Sequence, residues 1–75
     1  MKTISDIYIK ERMINLLRDG SENIDHVKCL FFAWYDLFDA SCSDADKMIA
    51  DVFIGSRIPE SHREEFELEM KSVLI

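Results

Sequence analysis

Apolar residues recur along this chain at steps of three and four and nowhere alternate, a pattern that predicts helices and no strands. Ile4, Ile7, Met13, Ile14, Leu16 and Leu17 follow that spacing. Thr3 with Asp6 three residues on has the form of a capping box, Asp standing where Glu is usual. Arg18-Asp19-Gly20 supplies a stop, the glycine taking the left-handed turn after the last helical residue. A first helix is therefore expected over residues 4–19.

Ser21 or Asn23 is placed to cap a second helix that reaches residue 39. Ile24, Val27, Phe31, Trp34 and Phe38 form a narrow stripe along it. Cys29, Leu30, Phe32, Ala33, Tyr35 and Leu37 fill most of the remaining circumference of its second half, so this helix is expected to be central and buried on several sides. Ala40-Ser41-Cys42-Ser43 reads as a loop, and Ser43 with Asp46 repeats the capping pattern. Ala45, Met48, Ile49, Val52 and Phe53 mark a third, one-sided helix that Gly55 and Ser56 end. Pro59 suits the first turn of a fourth helix, whose inward stripe is His62, Phe66, Met70, Val73 and Leu74. The fold class is all-α: one compact bundle of four short helices with a buried aromatic central helix, filling residues 1–75 as a single domain.

Composition narrows the function classes. The chain has 75 residues, 15 acidic against 9 basic side chains and a net charge of −6. A chain 48% hydrophobic is too apolar for a disordered acidic tail. Its charge is wrong for gripping phosphate backbones, so direct nucleic-acid binding is not expected. The longest unbroken apolar run, residues 29–35, is too short to span a bilayer. Lys2 is followed by a mixed polar segment rather than by the apolar run of a signal peptide. Two cysteines thirteen residues apart, with no CxxC pair, suit reduced thiols in a cytoplasmic protein better than the alternative of one disulfide.

Catalytic and metal readings fare poorly. His26 and Cys29 lie three apart on one helix and Cys42 could supply a third ligand, but zinc needs three or four ligands at fixed geometry and nothing pairs His62 with them. Cys42 as a nucleophile would need an adjacent base and oxyanion donors. The run 39–50 lacks the glycine at position six and the glutamate at position twelve of a calcium loop, where Asp44 and Ala50 stand. The expectation is a protein that is not an enzyme and uses no cofactor or metal.

Two surface signals remain. Glu60, Glu64, Glu65, Glu67 and Glu69 crowd the fourth helix, and Asp36, Asp39, Asp44, Asp46 and Asp51 surround the middle loop. Such a field keeps a small apolar protein in solution, and it is also complementary to a basic partner surface. Phe31, Phe32, Trp34, Tyr35 and Phe38 are the second signal. Phe32 and Tyr35 lie off the stripe and are candidate anchors for a contact with another chain, in the simplest case a homodimer. The expected partner-binding set is Glu60, Glu64, Glu65, Glu67, Asp44, Asp46, Tyr35 and Phe32.

The stretch from Met48-Ile49-Ala50-Asp51 through Ile58-Pro59-Glu60 to Arg63 and Phe66 resembles in layout the tail of the theta subunit of replicative DNA polymerase and the Hha-type nucleoid regulators. Both place a proline-started helix after an amphipathic one, and the likeness covers under half of the chain. It implies a non-catalytic accessory subunit that binds a nucleic-acid-handling protein. Charge, size and the missing catalytic constellation lead to a related expectation: an inhibitor or adaptor that occupies a basic surface of such a partner. Small acidic chains of this design occur among phage- and plasmid-encoded anti-defence proteins, so an anti-CRISPR-like role is the sharpest form of it.

Overall fold

A computed structural model describes residues 6–74, and these form the expected all-α bundle. Helix α1 runs Asp6–Asp19, α2 Ile24–Leu37, α3 Cys42–Ser56 and α4 Arg63–Lys71. Short 3-10 turns at Ser21–Asn23, Glu60–His62 and Ser72–Leu74 join or extend them. No strand occurs among the described residues. Thr3, and with it the proposed first capping box, lies outside them.

The core collects one stripe from each helix: Ile9 and Met13 of α1, Val27, Phe31 and Trp34 of α2, five residues of α3, and Phe66 and Met70 of α4. The α3 contribution is Ala45, Met48, Ile49, Val52 and Phe53, the whole of the expected pattern. Phe31 stacks on Trp34 with ring centroids 5.8 Å apart, and Phe53 meets Phe66 at the same separation. The Arg63 guanidinium covers the Phe53 ring at 5.0 Å, a cation–π contact that closes the core towards solvent. In α1 the stripe is phased on Ile9, not on Ile7. Two residues apart on a helix is a rotation of about 200°, which puts Ile7 outside at 62% exposure.

Helix ends depart from the sequence reading, each for a local reason. Gly20 has φ 171°, extended backbone rather than the left-handed turn. Its N–H still donates to the Leu16 carbonyl (3.2 Å), and the Asn23 side-chain amide donates to the same oxygen at 2.8 Å. Asn23 therefore closes the end of α1 rather than capping the start of α2. Helix α2 stops at Leu37, two residues early, because Asp39 adopts a positive φ of 51° and the Ala40 N–H turns back to the Tyr35 carbonyl. Left-handed backbone is tolerated by Asp better than by most residues.

The capping box of α3 is set two residues earlier than expected, so Cys42 and Ser43 are helical. Ser41 Oγ accepts from the Asp44 N–H at 3.1 Å, and the Ser41 N–H donates to Asp44 Oδ2 at 3.2 Å. Replacing Ser41 by alanine should lower stability by about 1 kcal/mol, whereas Ser43→Ala, inside the helix, should leave it within about 0.5 kcal/mol. Paired urea melts followed by circular dichroism separate the two, and equal effects would contradict this cap. Gly55 and Ser56 lie inside α3, which ends on Arg57 in left-handed backbone at φ 60°. His62 is not part of the inward stripe of α4. The 3-10 turn that holds it has about three residues per turn, so its phase slips against the helix and the imidazole faces solvent.

Candidate acidic interaction surface

Helix α4 turns Phe66 and Met70 inward, which sends Glu64, Glu65 and Leu68 to the opposite side. Leu68 lies four residues after Glu64 and three after Glu65, the spacings at which helical side chains are neighbours. At 69% exposure it is an uncovered apolar group with carboxylates on the preceding turn. Leu68 is absent from the partner-binding set expected from the sequence. Its signal was an apolar residue among five glutamates and off the inward stripe.

The other expected site residues divide by what they already hold. Glu60 and Glu67 both reach the Arg63 guanidinium, at 3.7 and 3.2 Å, and Glu65 Oε1 sits 3.5 Å from His62 Nδ1. Glu64 forms no ion pair among the described residues. Asp44 is exposed, yet its carboxylate is engaged in the α3 capping box. Asp46 pairs with Lys71 at 3.1 Å and so ties α3 to α4. These two aspartates serve the fold, and of the expected acidic set Glu64 is the one left without an ion pair among the described residues.

The cations are similarly occupied. Lys10 bridges α1 to Asp51 of α3 at 2.9 Å, and Lys28 bridges α2 to Glu69 of α4 at 2.9 Å while also reaching Asp25. Exposed pairs of this kind add little stability each. They do hold four of the basic side chains (Lys10, Lys28, Arg63 and Lys71) against carboxylates, so these do not project towards a partner.

Of the expected aromatic anchors, Phe32 is 48% exposed on the outer side of α2, and Leu37 at the end of that helix is 74% exposed. The circumference of α2 is thus covered on one side only: Phe31 and Trp34 are buried, and Cys29, Phe32, Ala33 and Leu37 are not. Tyr35 is half-buried, its ring against Trp34 with centroids 6.5 Å apart. Cys29 and Cys42 are free and exposed. Among the described residues no group of three or more His, Cys, Asp or Glu side chains is arranged to hold a metal ion, and no helix is long and apolar enough to cross a membrane.

Two open depressions flank the bundle. One, of about 420 Å³, is lined by Trp34, Phe38 and Met48 beneath a rim carrying Lys10, Lys47 and Asp51. The Trp34 indole N–H is buried and has no hydrogen-bond partner among the described residues. The other, of about 500 Å³, lies beside α4 and has a more apolar lining.

Two groups titrate away from their ordinary values. Charge on Cys42 beside the phenol, then desolvation and a hydrogen bond with Cys42, push the Tyr35 pKa up, with Asp39 adding to the effect. The hydrogen bond to Glu69 raises the Lys28 pKa, against a smaller opposing effect of burial and with further help from Asp25. Both groups hold their protons more tightly folded than unfolded. The stability they lend is complete below an unfolded-state pKa of about 10 and is lost as pH rises through the folded values. Thermal melts should therefore fall off above about pH 10, and Lys28→Met should blunt that fall. A melting temperature that stays flat to about pH 11.5 would contradict the assignment.

No protein-family model matches this chain, and no curated protein or solved structure matches it.

Proposed function

We propose that this protein is a non-enzymatic interaction module, an inhibitor or adaptor, that uses the outer face of α4 to occupy a basic surface on a nucleic-acid-handling partner. The observation that carries the reading is the exposed Leu68 beside Glu64 and Glu65, on a chain of net charge −6 whose neighbouring cations are held in ion pairs. An apolar anchor with charged neighbours is the arrangement of a recognition surface: the carboxylates steer encounter and fix orientation, and burial of the leucine slows release. An anti-defence role of the phage or plasmid type is the sharpest form of the proposal, with the cytoplasm as its place of action.

Self-association through α2 is less well supported. Phe32 and Leu37 offer apolar area, but Asp36 lies beside them and two copies would bring −6 against −6, so like charges oppose the pairing.

The test is capture from bacterial lysate on the immobilised chain, eluted by rising salt and identified by mass spectrometry, with a Glu64→Lys/Glu65→Lys variant and a Leu68→Ser variant in parallel. A basic nucleic-acid-handling protein should be held by the wild type and released by salt. The charge reversal should weaken it by about tenfold or more and flatten its salt dependence, and Leu68→Ser should weaken it with the salt dependence kept. Equal retention on all three would overturn the proposal. Glu67 is left out of the variant because its carboxylate holds Arg63.

A further inference from the structure

The depression beside α4 is built where four elements converge without a large side chain to cover them. Its floor is Leu17 of α1, Ile24 of α2, Phe66 of α4 and the Ile58-Pro59 link. That link is stretched across the gap because Arg57 ends α3 in left-handed backbone and Pro59 follows at φ −57°, ψ 142°. Ser21, from the 3-10 turn after α1, reaches the rim from one side, and His62 from the other. Leu17, Ile24 and Ile58 are consequently only half-buried although all three pack on the core.

One wall carries charge of a single sign. Glu65 and Glu69 both line it, and Glu65 also borders the Leu68 face, so groove and outer face share an edge. Glu69 is steadied by Lys28, while Glu65 has His62 beside it at 3.5 Å. An apolar floor with a carboxylate wall selects its occupant: an apolar side chain fills the floor, and its chain neighbours must be cationic. A second copy of this chain brings −6 against −6 and is the wrong match.

We infer that this groove seats one apolar side chain of the partner, carried on a segment with Lys or Arg on either side of it. The inference rests on the proposed reading of α4 as the partner-facing element, and it adds a specificity pocket to a surface otherwise chosen by charge.

The probe is a random-peptide library panned on the immobilised full chain, and in parallel on Ser21→Trp and His62→Trp, which place a bulky ring at the groove mouth from opposite rims. Both positions are exposed, so the variants are expected to fold, and circular dichroism checks this. Selected peptides should share an aliphatic or aromatic residue flanked by Lys or Arg. They should lose at least about tenfold in affinity on either plugged variant, and they should shift the backbone amide signals of Leu17, Ile24, Ile58 and Phe66. Basic peptides with no shared apolar position, binding the plugged variants as well as the wild type, would overturn the groove while leaving the α4 reading intact. Apolar peptides without basic residues would overturn the occupant named here, and that result would count against the α4 reading too. No enrichment on any version would overturn both.

Discussion

Replacing Phe31 by alanine is expected to cost about 3–5 kcal/mol, the range for removing a fully buried aromatic ring. Phe31 is fully buried, stacks on Trp34 and lies in the core cluster to which all four helices contribute, so its removal leaves a cavity that no single helix can close. A domain of this size has roughly 4–11 kcal/mol of total stability. The variant should therefore lose from about a quarter of its stability to all of it, with the urea midpoint lowered in proportion. An unfolding free energy within about 1 kcal/mol of the wild type would mean that the ring is not held as described. Phe32→Ala, one residue along and 48% exposed, is the control and should change stability little.

Gly55→Val is expected to cost about 1–3 kcal/mol, by overpacking rather than by opening a cavity. Nothing in the backbone demands glycine here: Gly55 lies inside α3 and does not have a positive φ. What demands it is Ile14 of α1, whose Cδ1 would stand 2.5 Å and Cγ1 3.0 Å from a Cβ at this position. A side chain added here must push the Ile14 side chain aside, and a branched one asks for the larger shift. Shortening the opposing residue should relieve the clash, so Gly55→Val combined with Ile14→Ala should be less destabilised than the two single losses added together, by about 0.5–3 kcal/mol. Strict additivity in urea melts of the four proteins would show that the two residues do not meet.

Gly55 also shows how far the chain could be read without coordinates. As a symbol it marks a helix end, and the sequence reading used it so. Its actual role is defined by a residue 41 positions away, which no local pattern carries. Gly20 failed in the same direction, its stop signal being answered by an extended residue and by the Asn23 amide. His62 and Ile7 were assigned to the interior by spacing alone. A 3-10 turn shifted the phase of one, and the choice of Ile9 over Ile7 as the stripe settled the other.

The acidic surface was half legible. Charge on α4 is a property of the sequence, and helical spacing sends Glu64 and Glu65 outward once Phe66 and Met70 are known to point in. That Asp44 is a capping residue and Asp46 an ion-pair partner of Lys71 could not be read in advance, because capping depends on where the helix starts and the ion pair joins elements that are adjacent only in the fold. The groove beside α4 was invisible for the same reason, since its lining comes from α1, α2, the link and α4 together.

What the sequence determined by itself was the number of helices, their order and most of their buried faces. These follow from the 3.6-residue period, and a local period is written in consecutive residues. Which exposed groups stay without a partner depends instead on how the helices pack. Helices brought side by side pair some charges, cover some apolar faces and leave others open, and that selection is made by distances between residues far apart in the chain.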